Sequence, residues 1–320
     1  MKHIFIVNPI SGKSDATVYL IPQIHKAARA QGIEYAVHIT DKAGHATELA
    51  RQYGETGEFV RLYACGGDGT LNEVLFGAYA YPNVEVASIP CGSGNDFVRC
   101  FGTSEDFLNL ADNIGGTAIP IDLIAANDAV SAAICSVGID ADVAYGIPKF
   151  RRVPLCGEKM AYSLSILQCL LRPIGRKMRV SIDGKNIEDC FLIATICNGK
   201  TYGGGYKASP NADLQDGILE VILVKKISRF RIAQVLSLYK NGRHIENEAV
   251  VSKVQDILTY HKAKEIVIEL MDGRPAVANI DGECTQVERL TAKVLPLAAK
   301  FVLPASLYVA FAGKKYAKIS

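Results

Sequence analysis

The chain has 320 residues, of which 49% are hydrophobic and 21% are charged, so it can bury the cores of two ordinary domains and is not a disordered protein. Its 35 basic and 33 acidic residues give a formal charge of +2 and are mixed along the chain, which argues against a nucleic-acid partner. Nine cysteines without zinc spacing indicate a reduced, cytoplasmic setting, and no stretch reaches the roughly 18 apolar residues of a transmembrane helix.

Strand and helix patterns alternate over residues 1–125. The predicted strands are His3–Val7, Tyr35–Ile39, Phe59–Cys65 and Val84–Pro90, and the predicted helices are Ala16–Gln31, Ala46–Tyr53 and Gly69–Tyr79. This alternation predicts an α/β domain, a parallel sheet with helices on both faces.

Residues 126–300 predict a second, β-rich domain of mostly antiparallel strands. The predicted strands are Ala132–Val137, Lys177–Ile182, Phe191–Cys197, Ile218–Val224, Glu265–Leu270 and Ala276–Ile280, with helices at Glu158–Leu171 and Arg229–Asn241. Residues 301–320 read as a last strand and short helix that pack back on the protein. An alternative is that Lys314, Lys315 and Lys318 touch anionic lipid. A functional site is expected in the cleft between the two domains.

The strongest local pattern is the glycine turn Gly66-Gly67-Asp68-Gly69-Thr70, which follows a strand and opens a helix with Asn72 and Glu73 in its first turn. Glycines let the backbone approach phosphate closely, and the helix N-terminus adds N–H donors. Asp68 would repel bare phosphate, so a divalent cation between them is expected. The alternative is a tight turn with a capping aspartate.

Two further turns follow predicted strands. The first contains Asn8, Ser11, Gly12 and Lys13. Lys13 could pair with a phosphate, but the turn does not have the residue spacing of a Walker-type P-loop. The other contains Gly92, Ser93, Gly94, Asn95 and Asp96 and adds backbone donors, a hydroxyl and a carboxylate. Because the carboxyl ends of parallel strands share one edge, all three turns should surround one site.

Taken in order, the segments NPISGK, GGDGT and GSGND, the last followed by Phe97 and Arg99, resemble the diacylglycerol kinase catalytic domain. That family includes bacterial lipid kinases and the sphingosine and ceramide kinases. The resemblance implies an ATP- and Mg-dependent kinase that phosphorylates a lipid hydroxyl, with diacylglycerol converted to phosphatidic acid as the leading reaction. It also implies a nucleotide-binding first domain, a second domain that holds lipid, transient peripheral membrane contact and a homodimer.

Two downstream matches rest on the same resemblance. Thr40, before Gly44-His45-Ala46, is similar to a threonine of the family that contacts ATP. Asp213, Asp216 and the carbonyl of Ile218 resemble the ligands of a structural Mg site. The alternative for this segment is an Asp-Gly turn that needs no metal.

The last match is Asp281-Gly282-Glu283, which resembles the family's C-terminal catalytic motif and implies a base for the acceptor hydroxyl. The sequence does not decide between Asp281 and Glu283. Asp68 and Asp96 would then organise the catalytic Mg, directly or through water.

Three alternative functions remain open at this level. The GGDGT turn is shared with NAD kinases, so a soluble acceptor such as NAD is one alternative. Another lipid, such as phosphatidylglycerol or a sphingoid base, is a second. A nucleotide-sensing or lipid-binding protein without turnover is a third, and the set of four carboxylates at Asp68, Asp96, Asp281 and Glu283 argues against it.

Overall fold

The computed structural model describes residues 1–12, 15–151 and 157–317. Contacts divide the chain into two compact units. The first unit comprises Met1–Leu123 with Pro296–Ser320, and the second unit comprises Ile124–Leu295.

The first unit alternates strands and helices. Its strands are β1 Lys2–Val7, β2 Tyr35–Ile39, β3 Val60–Gly66, β4 Val84–Pro90 and the start of β5 Thr117–Ala126, and its helices are α1 Ala16–Gln31, α2 His45–Glu55, α3 Asp68–Ala78 and α4 Leu110–Ile114. Two short 3₁₀ helices, Val98–Cys100 and Glu105–Phe107, follow β4. The chain returns to this unit with the end of β17 Arg289–Leu303 and with α8 Ala305–Ala317.

The sheet of the first unit is parallel, in the order β2-β1-β3-β4-β17. Helix α1 covers one face, where Leu20 and Ile24 pack against Phe5 and Tyr63. Helices α2 and α3 pack together, and both contact β3. Buried strands of this kind are near-continuous apolar runs, which is why the sequence pattern located them.

The second unit is mostly antiparallel. Its strands are β6 Ala129–Ser131, β7 Ile134–Gly138, β8 Arg176–Ile182, β9 Lys185–Cys197, β10 Leu219–Lys225, β11 Ile245–Glu246, β12 Ala249–Val250, β13 Leu258–Ala263, β14 Glu265–Leu270, β15 Ala276–Ile280, β16 Glu283–Val287 and the start of β17. Its helices are α5 Ile139–Arg151, α6 Glu158–Leu171 and α7 Arg229–Lys240.

Strand β9 is central to the antiparallel strands of this unit, because it pairs with β7, β8 and β10. Side chains alternate along β7: Cys135 and Val137 lie in the core, whereas Ser136 points to the opposite face, where Thr195 of β9 is its neighbour. Ser136 and Thr195 are therefore two buried hydroxyl groups on the face opposite the core.

The predicted fold class, an α/β domain followed by a mostly antiparallel β domain, is confirmed. Helix α5 was not predicted, and it adds a third helix to the two expected in the second half. In the described part of the chain, no helix is long and apolar enough to cross a membrane.

Candidate functional site

The glycine turns of the first unit lie at the carboxyl ends of β1, β3 and β4, where open α/β sheets bind ligands. Strand β3 ends at Gly66 and helix α3 begins at Asp68, with Gly67 between them as an extended N-cap residue. The first-turn amides of α3 thus lie at the strand end with the positive end of the helix dipole. This arrangement suits an anion such as phosphate.

Glycines occupy the points where the turns touch. A β carbon built on Gly92 would lie 2.5 Å from the Cα atom of Gly67, and one built on Gly12, whose φ is +90°, would overlap the carbonyl oxygen of Cys91. The amide of Cys91 donates to the carbonyl oxygen of Gly66 over 2.8 Å. Any larger residue at Gly92 or Gly12 would force the turns apart.

Asn8 links the first turn to the second. Its Nδ2 donates to Oγ1 of Thr70 over 3.0 Å, while its Oδ1 accepts the amide of Ile10 over 3.2 Å. The amide of Ser11 donates to the Asn8 carbonyl oxygen. Lys13, predicted to pair with phosphate, lies outside the described residues.

The carboxylates of Asp68 and Asp96 converge above Gly94. A β carbon built on Gly94 would lie 2.9 Å from Oδ2 of Asp68 and 3.7 Å from Oδ2 of Asp96. The amide of Phe97 donates to Oδ1 of Asp68 over 3.2 Å, and Arg99 donates to the carbonyl oxygen of Gly94 over 3.0 Å. Nη1 of Arg99 also lies 3.9 Å from Oδ1 of Asp96. Because Mg²⁺ prefers oxygen ligands, the carboxylates of Asp68 and Asp96 fit a divalent cation.

Asn95 shapes the third turn. It adopts a left-handed conformation, φ +51°, and its Nδ2 donates to the carbonyl oxygen of Gly92 over 2.8 Å. Asparagine tolerates this conformation better than most residues. Its neighbour Ser93 is exposed, so the hydroxyl is accessible to a ligand at the turn.

Glu73 connects the glycine turn to the segment after β2. Its two carboxylate oxygens accept the amides of Gly44 and Ala46 over 3.0 and 3.2 Å, at the start of α2. Thr40 lies at the end of β2, where its amide donates to the Val7 carbonyl oxygen. Glu73 was predicted, with Asn72, to bind the nucleotide. Its contacts hold the start of α2 against α3.

In the second unit, Asp281 occupies the turn between β15 and β16 with a φ of +48°. Its carboxylate accepts hydrogen bonds from the hydroxyl of Ser131 (2.8 Å) and from the amides of Ala132, Ala133 (3.1 Å) and Ile134 (2.9 Å). Burial raises the pKa of Asp281, and these donors oppose that shift. With both oxygens engaged, Asp281 anchors the turn to the β6–β7 connection.

Glu283 differs from Asp281 in its surroundings. It is the first residue of β16 and is exposed, and no described residue donates a hydrogen bond to its carboxylate. Of the two predicted bases, Glu283 therefore has the oxygens available to accept a proton from a substrate.

The predicted structural Mg ligands lie in an exposed loop before β10. Oδ1 of Asp213 accepts the amide of Gln215 over 3.1 Å, and Oδ1 of Asp216 accepts the amide of Ile218 over 3.0 Å. These are the bonds of aspartate turns, the alternative named above. Among the described residues, no three His, Cys, Asp or Glu side chains form a metal-binding group, so the Mg site stays a prediction.

A small apolar pocket of about 60 Å³, partly open to solvent, lies beneath helix α7. It is lined along the helix by Ile232, Val235, Leu236 and Tyr239, and opposite them by residues such as Leu258. The sequence reasoning did not name these residues. The signal was present, because the four helical positions follow the i, i+3, i+4, i+7 spacing of one helix face.

Tyr239, which lines this pocket, has a polar neighbour outside it. The hydroxyl groups of Tyr239 and Tyr202 lie 3.4 Å apart. Asp140, near the start of α5, lies beside this pair: burial raises its pKa, and Ser136 and Tyr202 oppose that shift. Sequence reasoning missed Asp140 because Asp140 and Asp142 lie among apolar residues and match none of the motifs named above.

Family models match both halves of the chain. Residues 2–126 match the diacylglycerol kinase catalytic domain, and residues 133–303 match the YegS C-terminal NAD kinase beta sandwich-like domain. A diacylglycerol kinase of Bacillus subtilis is 30% identical over 283 residues, covering 87% of this chain and 88% of that protein. A diacylglycerol kinase of Staphylococcus carnosus is 28% identical, with 87% of each chain covered.

Solved structures show a similar fold. A diacylglycerol kinase structure from Bacillus anthracis superposes with a TM-score of 0.67 and covers 96% of this chain and 98% of that one. At 19% identity, this likeness concerns the fold alone.

Proposed function

Because the chain belongs to the diacylglycerol kinase family and is a lipid kinase, a transferase with an alcohol acceptor, we propose that it uses ATP and Mg²⁺ to phosphorylate the hydroxyl of diacylglycerol. The observation that carries the nucleotide half of this proposal is the contact between the three glycine turns, with two carboxylates converging above Gly94.

The phosphates of ATP would lie against the amides of the turns at Gly12, Gly67 and Gly92, at the N-terminus of α3. Asp68 and Asp96 would hold Mg²⁺, which neutralises charge on the transferring phosphoryl group. The amide of Phe97, donating to Asp68, fixes the direction of that carboxylate. Positioning and charge neutralisation supply most of the catalysis in such a reaction.

We assign the base to Glu283 and a positioning role to Asp281. Glu283 has an accessible carboxylate, which would take the proton of the acceptor hydroxyl as its oxygen attacks the γ-phosphorus. Asp281 holds the turn in place through its bonds to the β6–β7 connection. A positioned base contributes about 10²- to 10⁴-fold to rate.

The pocket beneath α7 supports a lipid acceptor over a soluble one. Its walls are almost wholly apolar and suit part of an acyl chain. An acceptor such as NAD, which carries phosphates and no long apolar chain, would leave these walls without a partner.

Two further features remain proposals that rest on the family. A structural Mg²⁺ at Asp213, Asp216 and the carbonyl of Ile218 would stiffen the loop before β10. A homodimer is the assembly we propose for the active protein.

The test is transfer of phosphate from ATP by the purified protein to a panel of acceptors. The panel contains dispersed diacylglycerol, phosphatidylglycerol, a sphingoid base and NAD, and Asp68→Asn serves as the inactive control. We expect Mg-dependent labelling of diacylglycerol by the unchanged protein. Labelling of NAD alone would overturn the lipid assignment, and labelling of another lipid alone would correct the acceptor.

A further inference from the structure

The second unit has an exposed apolar corner where α6 ends and α7 begins. Leu171, the last residue of α6, is 78% exposed, and Phe230, in the first turn of α7, is 75% exposed. Leu167, one helical turn before Leu171, is exposed as well. Large apolar side chains exposed together on one surface indicate an interaction site, whereas single ones need no explanation.

Arg229 holds the two exposed side chains on one surface. Its guanidinium donates to the carbonyl oxygens of Leu170 and, over 2.8 Å, of Arg172. Leu171 lies between these two acceptors, and Phe230 is the next residue after Arg229. The end of α6 and the start of α7 therefore form one rigid corner with two protruding apolar groups.

The corner is basic. Arg172, Lys226 and Arg229 are exposed around it, and Lys226 packs over Gly175, where a β carbon would meet its aliphatic stem at 3.0 Å. In the described ranges, no carboxylate lies within ion-pair distance of these three residues. Their neighbours differ: Lys225 pairs with Asp189 and Arg231 pairs with Asp256.

From this composition we propose that the corner formed by Leu171, Phe230, Arg172, Lys226 and Arg229 docks onto the surface of an anionic lipid bilayer. The two apolar side chains enter the boundary between headgroups and acyl chains, and the three cations face the lipid phosphates. This inference rests on the proposed function, since a lipid kinase must reach a substrate held in a membrane.

The same segment also lines the apolar pocket. Ile227, Ile232 and Val235 face the pocket, whereas Phe230, within that stretch, faces solvent. A bilayer bound at Phe230 would thus lie next to the wall that accepts an acyl chain. This continuity favours a membrane over a protein partner at the corner. Lys318, one of the three C-terminal lysines considered from the sequence, lies outside the described residues.

The test compares vesicle binding and activity of the double variant Leu171→Ser/Phe230→Ser with those of the unchanged protein. Vesicles are made of phosphatidylcholine with or without phosphatidylglycerol, and binding is measured by co-sedimentation. We expect about tenfold weaker binding to the anionic vesicles, because two inserted side chains are lost. The matched control is Phe59→Ser, which removes a phenylalanine that is 68% exposed in the first unit and should leave binding unchanged.

Charge and activity supply independent readouts. Lys226→Glu should weaken binding to anionic vesicles and leave binding to pure phosphatidylcholine unchanged. The double variant should phosphorylate a water-soluble short-chain diacylglycerol at the unchanged rate while losing activity on diacylglycerol in vesicles. If no protein phosphorylates the short-chain lipid, the proposed function fails. If the unchanged protein phosphorylates it but the double variant binds vesicles normally, or changes only its oligomeric state, the docking proposal is overturned.

Discussion

Glu283 and Asp281 are two residues apart, yet we propose different roles for them because their surroundings differ. Glu283→Gln removes an exposed carboxylate that makes no described hydrogen bond, whereas Asp281→Asn alters one that accepts bonds from Ser131, Ala132, Ala133 and Ile134. Asparagine also tolerates the left-handed conformation at position 281, where φ is +48°. The Asp281→Asn substitution therefore isolates the hydrogen bonds from any backbone effect.

The cost at Asp281 follows from the donors it faces. Replacing one carboxylate oxygen by an NH₂ group sets donor against donor at Ala132 or Ile134, and a buried N–H left without an acceptor costs about 1–3 kcal/mol. The remaining donors would bond to a neutral amide and not to a carboxylate, so their hydrogen bonds would be weaker. The expected loss in the free energy of unfolding is therefore about 2–4 kcal/mol. For a domain of this size that corresponds to a fall in Tm of roughly 4–16 °C. At exposed Glu283 the free energy of unfolding should change by less than about 0.5 kcal/mol.

The assay is kcat for lipid phosphorylation together with Tm for each variant. Glu283→Gln should lower kcat by about 10²- to 10⁴-fold and keep its Tm. Asp281→Asn should lower Tm, and the fraction that stays folded at low temperature should retain more activity than Glu283→Gln. If Glu283→Gln turns over normally, or if Asp281→Asn is inactive with an unchanged Tm, the two roles are assigned wrongly.

Three more predictions follow from the first unit. Gly92→Ala should lower the free energy of unfolding by about 1–3 kcal/mol and raise KM for ATP, because the new β carbon would lie 2.5 Å from the Gly67 backbone. Gly67→Ala should have smaller effects, because its β carbon would meet its nearest atom at 3.3 Å. Equal effects of the two substitutions would contradict this packing. Burial, assisted by Arg61, lowers the pKa of His3 from 6.5 to about 4, so the unfolded chain binds the proton first as pH falls. The free energy of unfolding, measured by denaturant titration, should fall as the pH is lowered from 6.5 to 4, by about 2 kcal/mol at pH 5. This decrease should be absent in His3→Gln. Asp68→Asn should abolish turnover while Tm stays within a few degrees, and retained turnover would remove Asp68 from the site.

Much of the secondary structure of the first unit could be predicted from the sequence, because its signals depend only on residues a few positions apart. The bounds of α1 were predicted fully: Asp15 caps its start by accepting the Thr17 amide, and Gly32 ends it in a left-handed conformation. Strand β4 was likewise predicted at Val84–Pro90. Glycine turns after such strands indicate where a phosphate would bind without any tertiary information.

Other features depend on residues far apart in sequence. The donors to Asp281 lie 147–150 positions earlier in the chain, so no local pattern separates it from Glu283. Helix α5 contains Pro148, which reads as a break in a helical pattern. In β17, Leu297 has a φ of +49°, which interrupts the alternation that identifies a strand. These features follow from tertiary packing.

The most direct test of the central claim is transfer of labelled γ-phosphate from ATP to diacylglycerol by the purified protein, with Mg²⁺ present, then chelated, then restored. We predict that labelled phosphatidic acid forms with Mg²⁺, stops on chelation and returns on restoration, and that Glu283→Gln forms almost none. Absence of any labelled lipid from a folded protein, with phosphate transferred to NAD instead, would contradict the account.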